Sequence, residues 1–239
     1  WRTSNGATWL SNDFMGESGF TLPYADAVAW NGKIWLVAEA TVYSAVQGTG
    51  GSLTWSTKTT SAPWGAVNMQ LAAFNGELWA VNASGGGSVW RSSDGISWTQ
   101  ETAAPWPARP YTRLVVAGDS LLAIVASSGT SPGEVWGSSD GVNWTKRCAA
   151  APWELGGSYI AAVWFDGAVH VTRMQNDHFV STDGGVSWIK VHPTRTETPH
   201  FRPAPHRRRP AGQRLRGGRL RAAVRAGGRG AGVVCAGRL

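Results

Sequence analysis

One short stretch constrains this chain more than any other: Val180-Ser181-Thr182-Asp183-Gly184-Gly185-Val186-Ser187-Trp188, of which shortened or worn copies recur along almost the whole sequence. It reads as a tight hairpin turn with a bulky end. The Asp183 carboxylate accepts from backbone N–H groups just beyond it, Gly184 and Gly185 supply positive φ, and Ser181 offers a further local hydrogen bond, so the strand reverses without orphaned polar groups. Trp188 then buries a large ring beside the turn. Ser92-Ser93-Asp94-Gly95-Ile96-Ser97-Trp98 and Ser138-Ser139-Asp140-Gly141-Val142-Asn143-Trp144 repeat the pattern with one residue fewer. Thr3-Ser4-Asn5-Gly6-Ala7-Thr8-Trp9 keeps Asn for Asp, and Gly50-Gly51-Ser52-Leu53-Thr54-Trp55 has lost the carboxylate.

The terminal tryptophans, Trp9, Trp55, Trp98, Trp144 and Trp188, are spaced by 46, 43, 46 and 44 residues. Between them a second hairpin recurs, turning at Asn31-Gly32, Asn75-Gly76, Gly118-Asp119 and Asp166-Gly167 between apolar runs. Asn-Gly and Asp-Gly in that setting are strong hairpin signals. Two hairpins per period make four strands, and a four-stranded repeat of about 45 residues is the blade of a β-propeller. The expected fold is therefore all-β, a propeller fragment or incomplete ring of four-stranded antiparallel blades.

The Ser-x-Asp-(x)-Gly-x-x-Trp turns resemble Asp-box (bacterial neuraminidase) repeats, and the hydrophobic-Asn-Gly-x-Leu-Trp hairpins are similar to kelch-type propellers. The likeness covers residues 1 to about 190. It departs from kelch in carrying Ala38-Glu39, Asn82-Ala83 and Ala126-Ser127 where a Gly-Gly pair is usual. The resemblance implies a sialidase-like fold, an extracellular or periplasmic setting, and turn carboxylates that stand away from any catalytic centre. It also names what a sialidase needs: three arginines for the substrate carboxylate, a Tyr nucleophile assisted by Glu, an Asp acid-base, and a Phe/Tyr-Arg-Ile-Pro motif near the start. Phe201-Arg202-Pro203 is the nearest match; it lacks the Ile and lies at the wrong end. Among Arg2, Arg91, Arg109, Arg113, Arg147 and Arg173, none sits in a motif that marks a ligand.

Charge divides the chain in two. Residues 1–191 hold 10 Lys and Arg against 14 Asp and Glu, whereas residues 192–239 hold 12 Arg against Glu197 alone, so the overall +7 belongs to the tail. All 15 tryptophans precede the break. The first part is long enough to bury a core without staples. Cys148 and Cys235, one in each part and without metal-ligand spacing, support neither a disulfide framework nor a zinc site. No apolar run is long enough for a membrane span. The opening Trp1-Arg2-Thr3 falls inside a repeat and reads as an internal piece of a longer protein. Three readings of the Arg-, Gly-, Ala- and Pro-rich tail stand together: a frame-shifted stretch of GC-rich coding sequence, a disordered basic tail that would contact nucleic acid through phosphate charge, or a poorly diverged last blade.

In chain order, residues 1–10 read as the last two strands of a half-blade, followed by blades at about 27–58, 71–101, 114–147 and 160–191. Ala62-Pro63-Trp64, Ala104-Pro105-Trp106 and Ala151-Pro152-Trp153 connect an outer strand to the next inner one. The connections between second and third strands, read as 38–52, 82–88, 126–134 and 172–178, vary most, and variable loops on a rigid frame are where binding is expected.

Candidates follow from that face. Trp64, Trp106 and Trp153 are rim aromatics suited to sugar faces or partner hot spots, although their repetition favours packing between blades. Arg109, Tyr111 and Arg113 at the entry of the third blade, with Glu154 and Tyr159 at the fourth, are positioned to face the central channel or solvent. Asp94, Asp140 and Asp183, with Ser92, Gly95, Trp98, Ser138, Gly141, Trp144, Ser181, Gly185 and Trp188, are structural, since turns in separate blades are too far apart to share chemistry. His170 stands where other copies have Trp35, Trp79 and Leu122, and reads as a strand residue. Asn82 and Asn143 match the glycosylation pattern. No catalytic residue, metal site or cofactor is expected. The functional expectation is a non-catalytic interaction module for protein or carbohydrate; the alternative is a sialidase-like glycoside hydrolase completed by further blades.

Overall fold

The computed structural model describes residues 25–83, 87–109, 111–153, 159–173 and 177–191, and the backbone of 232–234. These form four antiparallel sheets, each built in sequence order from its inner to its outer strand. The first holds β1 (Ala25–Trp30), β2 (Lys33–Ala38), β3 (Thr41–Gln47) and β4 (Leu53–Thr59). The second holds β5 (Met69–Phe74), β6 (Glu77–Asn82), β7 (Ser88–Ser92) and β8 (Thr99–Ala103). The third runs β9 (Arg113–Ala117), β10 (Ser120–Val125), β11 (Gly133–Ser138) and β12 (Thr145–Ala151). In the fourth, β13 (Ile160–Phe165), β14 (Ala168–Arg173), β15 (His178–Ser181) and β16 (Ser187–Val191) are joined by β17 (Gly232–Val234). The only helix among the described residues is a 3-10 turn at Thr49–Gly51, and none is long and apolar enough to cross a membrane.

The innermost strands contact one another in the order β1, β5, β9, β13, which sets the sheets as successive blades about one axis. The chain is a β-propeller with four described blades. One sequence boundary moves: the interval 38–52 is not a single loop, because Thr41–Gln47 alternates β-formers and becomes β3, leaving a two-residue turn at Glu39-Ala40. A second difference lies in the tail, where Gly232–Val234 pairs with the open edge of β16, whose backbone groups otherwise lack a ladder partner. The half-blade 1–10, Glu154 and the rest of the tail lie outside the described residues. Cys148, left unpaired by the sequence reading, is fully buried and disulfide-bonded.

Local chemistry makes the blades. At Asn31-Gly32, Asn75-Gly76 and Asp166-Gly167 both turn residues take positive φ, the geometry whose twist matches the strands it joins. In the Ser-x-Asp turns, Ser138 Oγ accepts from Gly141 N at 2.7 Å, and Asp140 Oδ1 accepts from Val142 N and Asn143 N at 2.9 and 2.8 Å. Ser92 with Asp94 repeats this, and Ser181 with Asp183 does so across one extra glycine. The Asn143 side chain and these N–H groups hold the Asp140 carboxyl well below the usual carboxylate range. Asn143, a glycosylation match in sequence, therefore has its amide nitrogen on Asp140 Oδ2 at 2.8 Å.

Between blades the fit is tighter. A Cβ built on Gly95 of the second blade would lie 2.1 Å from the Trp35 ring of the first, and one on Gly141 of the third 2.3 Å from the Trp79 ring of the second. These two turns are thus seated on the second strand of the preceding blade, whereas Gly185 of the fourth blade faces Val135 in the third strand of the third. The tryptophans at the blade connections lock the same joints. Trp64 meets Trp98 edge-on at 4.9 Å, Trp106 meets Trp144 at 4.8 Å and Trp153 meets Trp188 at 5.2 Å. Trp64 donates its indole N–H to Glu39 O and Trp153 to Val125 O, reaching back to the blade it has left.

Two outcomes test this joint in thermal or urea unfolding. Asp140→Ala removes the acceptor of two backbone N–H groups and lowers stability by about 1–2 kcal/mol, an effect that fades as pH falls below 3.8, because the depressed carboxyl contributes only while ionised. Gly141→Ala adds a methyl to the Trp79 contact at φ +81° and costs more than about 2 kcal/mol.

Candidate functional site

Strand one of each blade begins at the same end of the axis. Counted back from the first hairpin turn, Asp26, Gln70, Arg113 and Ala161 occupy one equivalent position, near the start of β1, β5, β9 and β13. The inner edge of each blade has unpaired backbone groups, and two of these side chains satisfy them across the joints. Asp26 Oδ2 accepts from Leu71 N at 2.7 Å, and Arg113 Nε donates to Ile160 O at 2.9 Å. Burial pushes the Asp26 carboxyl above its ordinary value, opposed by its backbone hydrogen bonds and the Arg113 charge. Burial likewise lowers Arg113, opposed by Asp26 and Tyr111.

Beside this level, Tyr111 and Tyr159 meet with ring centroids 4.0 Å apart, spanning the entries of the third and fourth blades. Tyr111 holds φ +69°, so the chain entering β9 is bent to bring the ring there. The four inner strands line a shallow open cleft of about 370 Å³, including Val28, Leu71, Leu114 and Ala162. Its wall is apolar, and the charged groups are confined to the rim. The arrangement offers an acceptor, a guanidinium, an amide and two aromatic faces at the opening of an apolar channel, the usual composition of a small-ligand site.

The sequence candidates distribute unevenly. Tyr111, Arg113 and Tyr159 come together at this mouth. Arg109 does not: it is 8 % exposed and its Nη1 donates to the carbonyls of Ala126, Ser131 and Pro132, bracing the loop between β10 and β11. Trp106 and Trp153, 4 % and 1 % exposed, are set inside the wall rather than on the rim, because the adjoining turn tryptophans pack edge-on against them. Trp64 is half-buried in the same kind of joint. Asp26 and Gln70 were missed; the available signal was the aligned first-strand position, where a polar residue interrupts an apolar strand in blades one to three. The remaining described arginines stand apart: Arg91 pairs with Glu77 and Glu101, Arg173 with Asp177, and Arg147 donates to Gly184 O and Ser120 Oγ.

Asp26→Asn tests the electrostatics of the mouth. A raised folded-state pKa means that Asp26 favours folding below pH 3.8 and that this contribution is lost as pH rises through the folded value. Asparagine stays neutral and can still accept from Leu71 N, so melting temperatures match wild type below pH 3.8 and exceed it at pH 7.

No curated protein matches this sequence. Among solved structures, "Structure of YjhT" superposes with a TM-score of 0.54 at 12% identity, over 72% of this chain and just under two thirds, 66%, of that one. Zg3597, a family 117 glycoside hydrolase from the marine bacterium Zobellia galactanivorans, gives 0.49 at 10% identity over 70% and 68%. Trypanosoma rangeli sialidase gives 0.39 at 12% identity over 66% and 28%. At such identities the likeness is one of fold. The family model described as the DUF6242 beta propeller domain matches residues 4–155, more than half of the sequence, and the chain belongs to that family.

Proposed function

We propose that this propeller is a non-catalytic binding module that takes a carbohydrate, or a sugar-like face of a protein partner, at the axial mouth. The observation that carries the reading is the equivalent position Asp26, Gln70, Arg113 and Ala161, which differs in every blade while the hairpin turns and connecting tryptophans that frame the blades recur. Framing repeats because every joint has the same geometry to satisfy; a ligand breaks that symmetry and needs a different group on each side. Planar carboxylate, amide and guanidinium groups suit paired hydrogen bonds to neighbouring hydroxyls, and the half-exposed Tyr159 ring suits the apolar face of a sugar.

The alternative, a sialidase-like hydrolase with Asp-box repeats, requires arginines that converge on one carboxylate. Arg91, Arg109, Arg147 and Arg173 each have separate structural partners, which supports the binding reading. Glycan-array screening followed by calorimetry separates the two. Tyr159→Ala, which alters an exposed ring, and Arg113→Ala each weaken the best glycan at least about tenfold, the loss expected for a charge-assisted hydrogen bond or a stacked ring of about 1.5–3 kcal/mol. Unchanged affinity in both variants overturns the assignment of the mouth, and turnover of a fluorogenic sialoside by the wild-type protein favours the hydrolase.

A further inference from the structure

The fourth blade carries a side-chain pair that its siblings lack. His170 stands at the second-strand position held by Trp35, Trp79 and Leu122. His178, three residues before the turn Ser181, stands where the second and third blades have Val89 and Val135. Two apolar positions have thus become imidazoles in the same blade, and they meet. His178 is paired with Thr172 in the sheet, two residues beyond His170, so the rings lie diagonally across β14 and β15. His170 Nδ1 and His178 Nε2 are 3.0 Å apart, with ring centroids at 5.2 Å and planes inclined by 30°.

Among the described residues no further blade packs on their face of the sheet. Phe165 and Val163, on the same side, are 68 % and 55 % exposed, and Ile189 continues the row Val163, His170, Val180, Ile189 across the strands. Burial and the neighbouring His170 lower the His178 pKa, which keeps that ring neutral. Two imidazole nitrogens at this separation are the donor set of a bidentate metal ligand.

We propose that His170 and His178 form a two-histidine chelate for a borderline divalent transition-metal ion. With metal–nitrogen bonds of about 2.0–2.1 Å, nitrogens 3.0 Å apart subtend an angle of about 94° at the ion. That is near the right angle of tetragonal or octahedral coordination and well short of a tetrahedral one, so the site suits Cu2+ and Ni2+ better than Zn2+. Binding needs both facing nitrogens unprotonated. The proton shared between them moves to the far nitrogen of its own ring, His170 Nε2 or His178 Nδ1, so that each ring keeps one N–H in the metal-bound form and any further proton is released to solvent. Among the described residues no group of three or more His, Cys, Asp or Glu side chains could hold a metal, so these residues supply two nitrogen ligands and no third.

Isothermal titration of the full chain with CuCl2, NiCl2 and ZnCl2 tests this, using His170→Leu and His178→Val, which install the side chains found at Leu122 and at Val89 and Val135 and so suit the fold. One Cu2+ site is expected, with Ni2+ bound at least as tightly as Zn2+. Each substitution weakens it by more than about tenfold, since losing one arm removes the effective concentration of the second ligand. Electron paramagnetic resonance of the Cu2+ complex shows two nitrogen ligands in the wild type and fewer in either variant. Unaltered stoichiometry and affinity in both variants assigns the metal to His192, His200 or His206 in the tail and overturns the proposal, as does the absence of any Cu2+ binding.

Discussion

The architecture rests on the contact between a turn without a side chain and a large ring in the blade before it. Gly95 lies against Trp35 and Gly141 against Trp79 so closely that a methyl group on either glycine would overlap the indole. That closeness is possible because the serine and aspartate of the same turn satisfy its backbone N–H groups internally, although the Trp35 and Trp98 indole N–H groups beside the first of these joints are buried without a hydrogen-bond partner among the described residues. Turn chemistry and blade packing are therefore one device. The connecting tryptophans complete it, with each ring edge-on to the turn tryptophan of the blade it enters. The fourth blade relaxes the pattern: Leu122 replaces the receiving tryptophan, and the turn answers with an additional glycine, Gly185 now facing Val135.

Rigid joints leave little freedom for function except where blades meet the axis. There the inner strand edges expose backbone groups to the channel, and Asp26 and Arg113 bind them from the adjacent blades. The same two side chains hold charge in a place that disfavours it, since burial raises one pKa and lowers the other. A group that is structurally tethered yet electrostatically strained is well prepared to meet a polar ligand, because little orientational freedom remains to be lost on binding.

Most of the fold was legible in the sequence because its determinants are local. The aspartate turns and the Asn-Gly hairpins each act within a few residues, and among the described residues the structure repeats them where the pattern put them. The extent of β3 was misjudged because Gly48 to Gly51 looked like the middle of a long loop, whereas Thr41–Gln47 pairs on both sides. The site was only partly legible. Tyr111 and Tyr159 could be suspected from their places at blade entries, but their contact depends on how two blades are inclined, which no local pattern encodes. Trp106 and Trp153 were ambiguous for the opposite reason: a tryptophan after a proline suits an exposed rim and a wedge equally, and only the neighbouring blade decides.

The seating of each turn on the blade behind it has a consequence for how such a chain can be lengthened. A receiving ring and the glycine that meets it belong to different units, so copying one unit in register reproduces both halves of the interface at the new boundary. A copy that began or ended between them would set a bare turn on a bare strand, or a ring against a bulky turn. Growth by whole periods is therefore nearly free of packing conflict, and a unit can then replace its receiving residue, as the fourth has with His170, without disturbing the joint already made behind it.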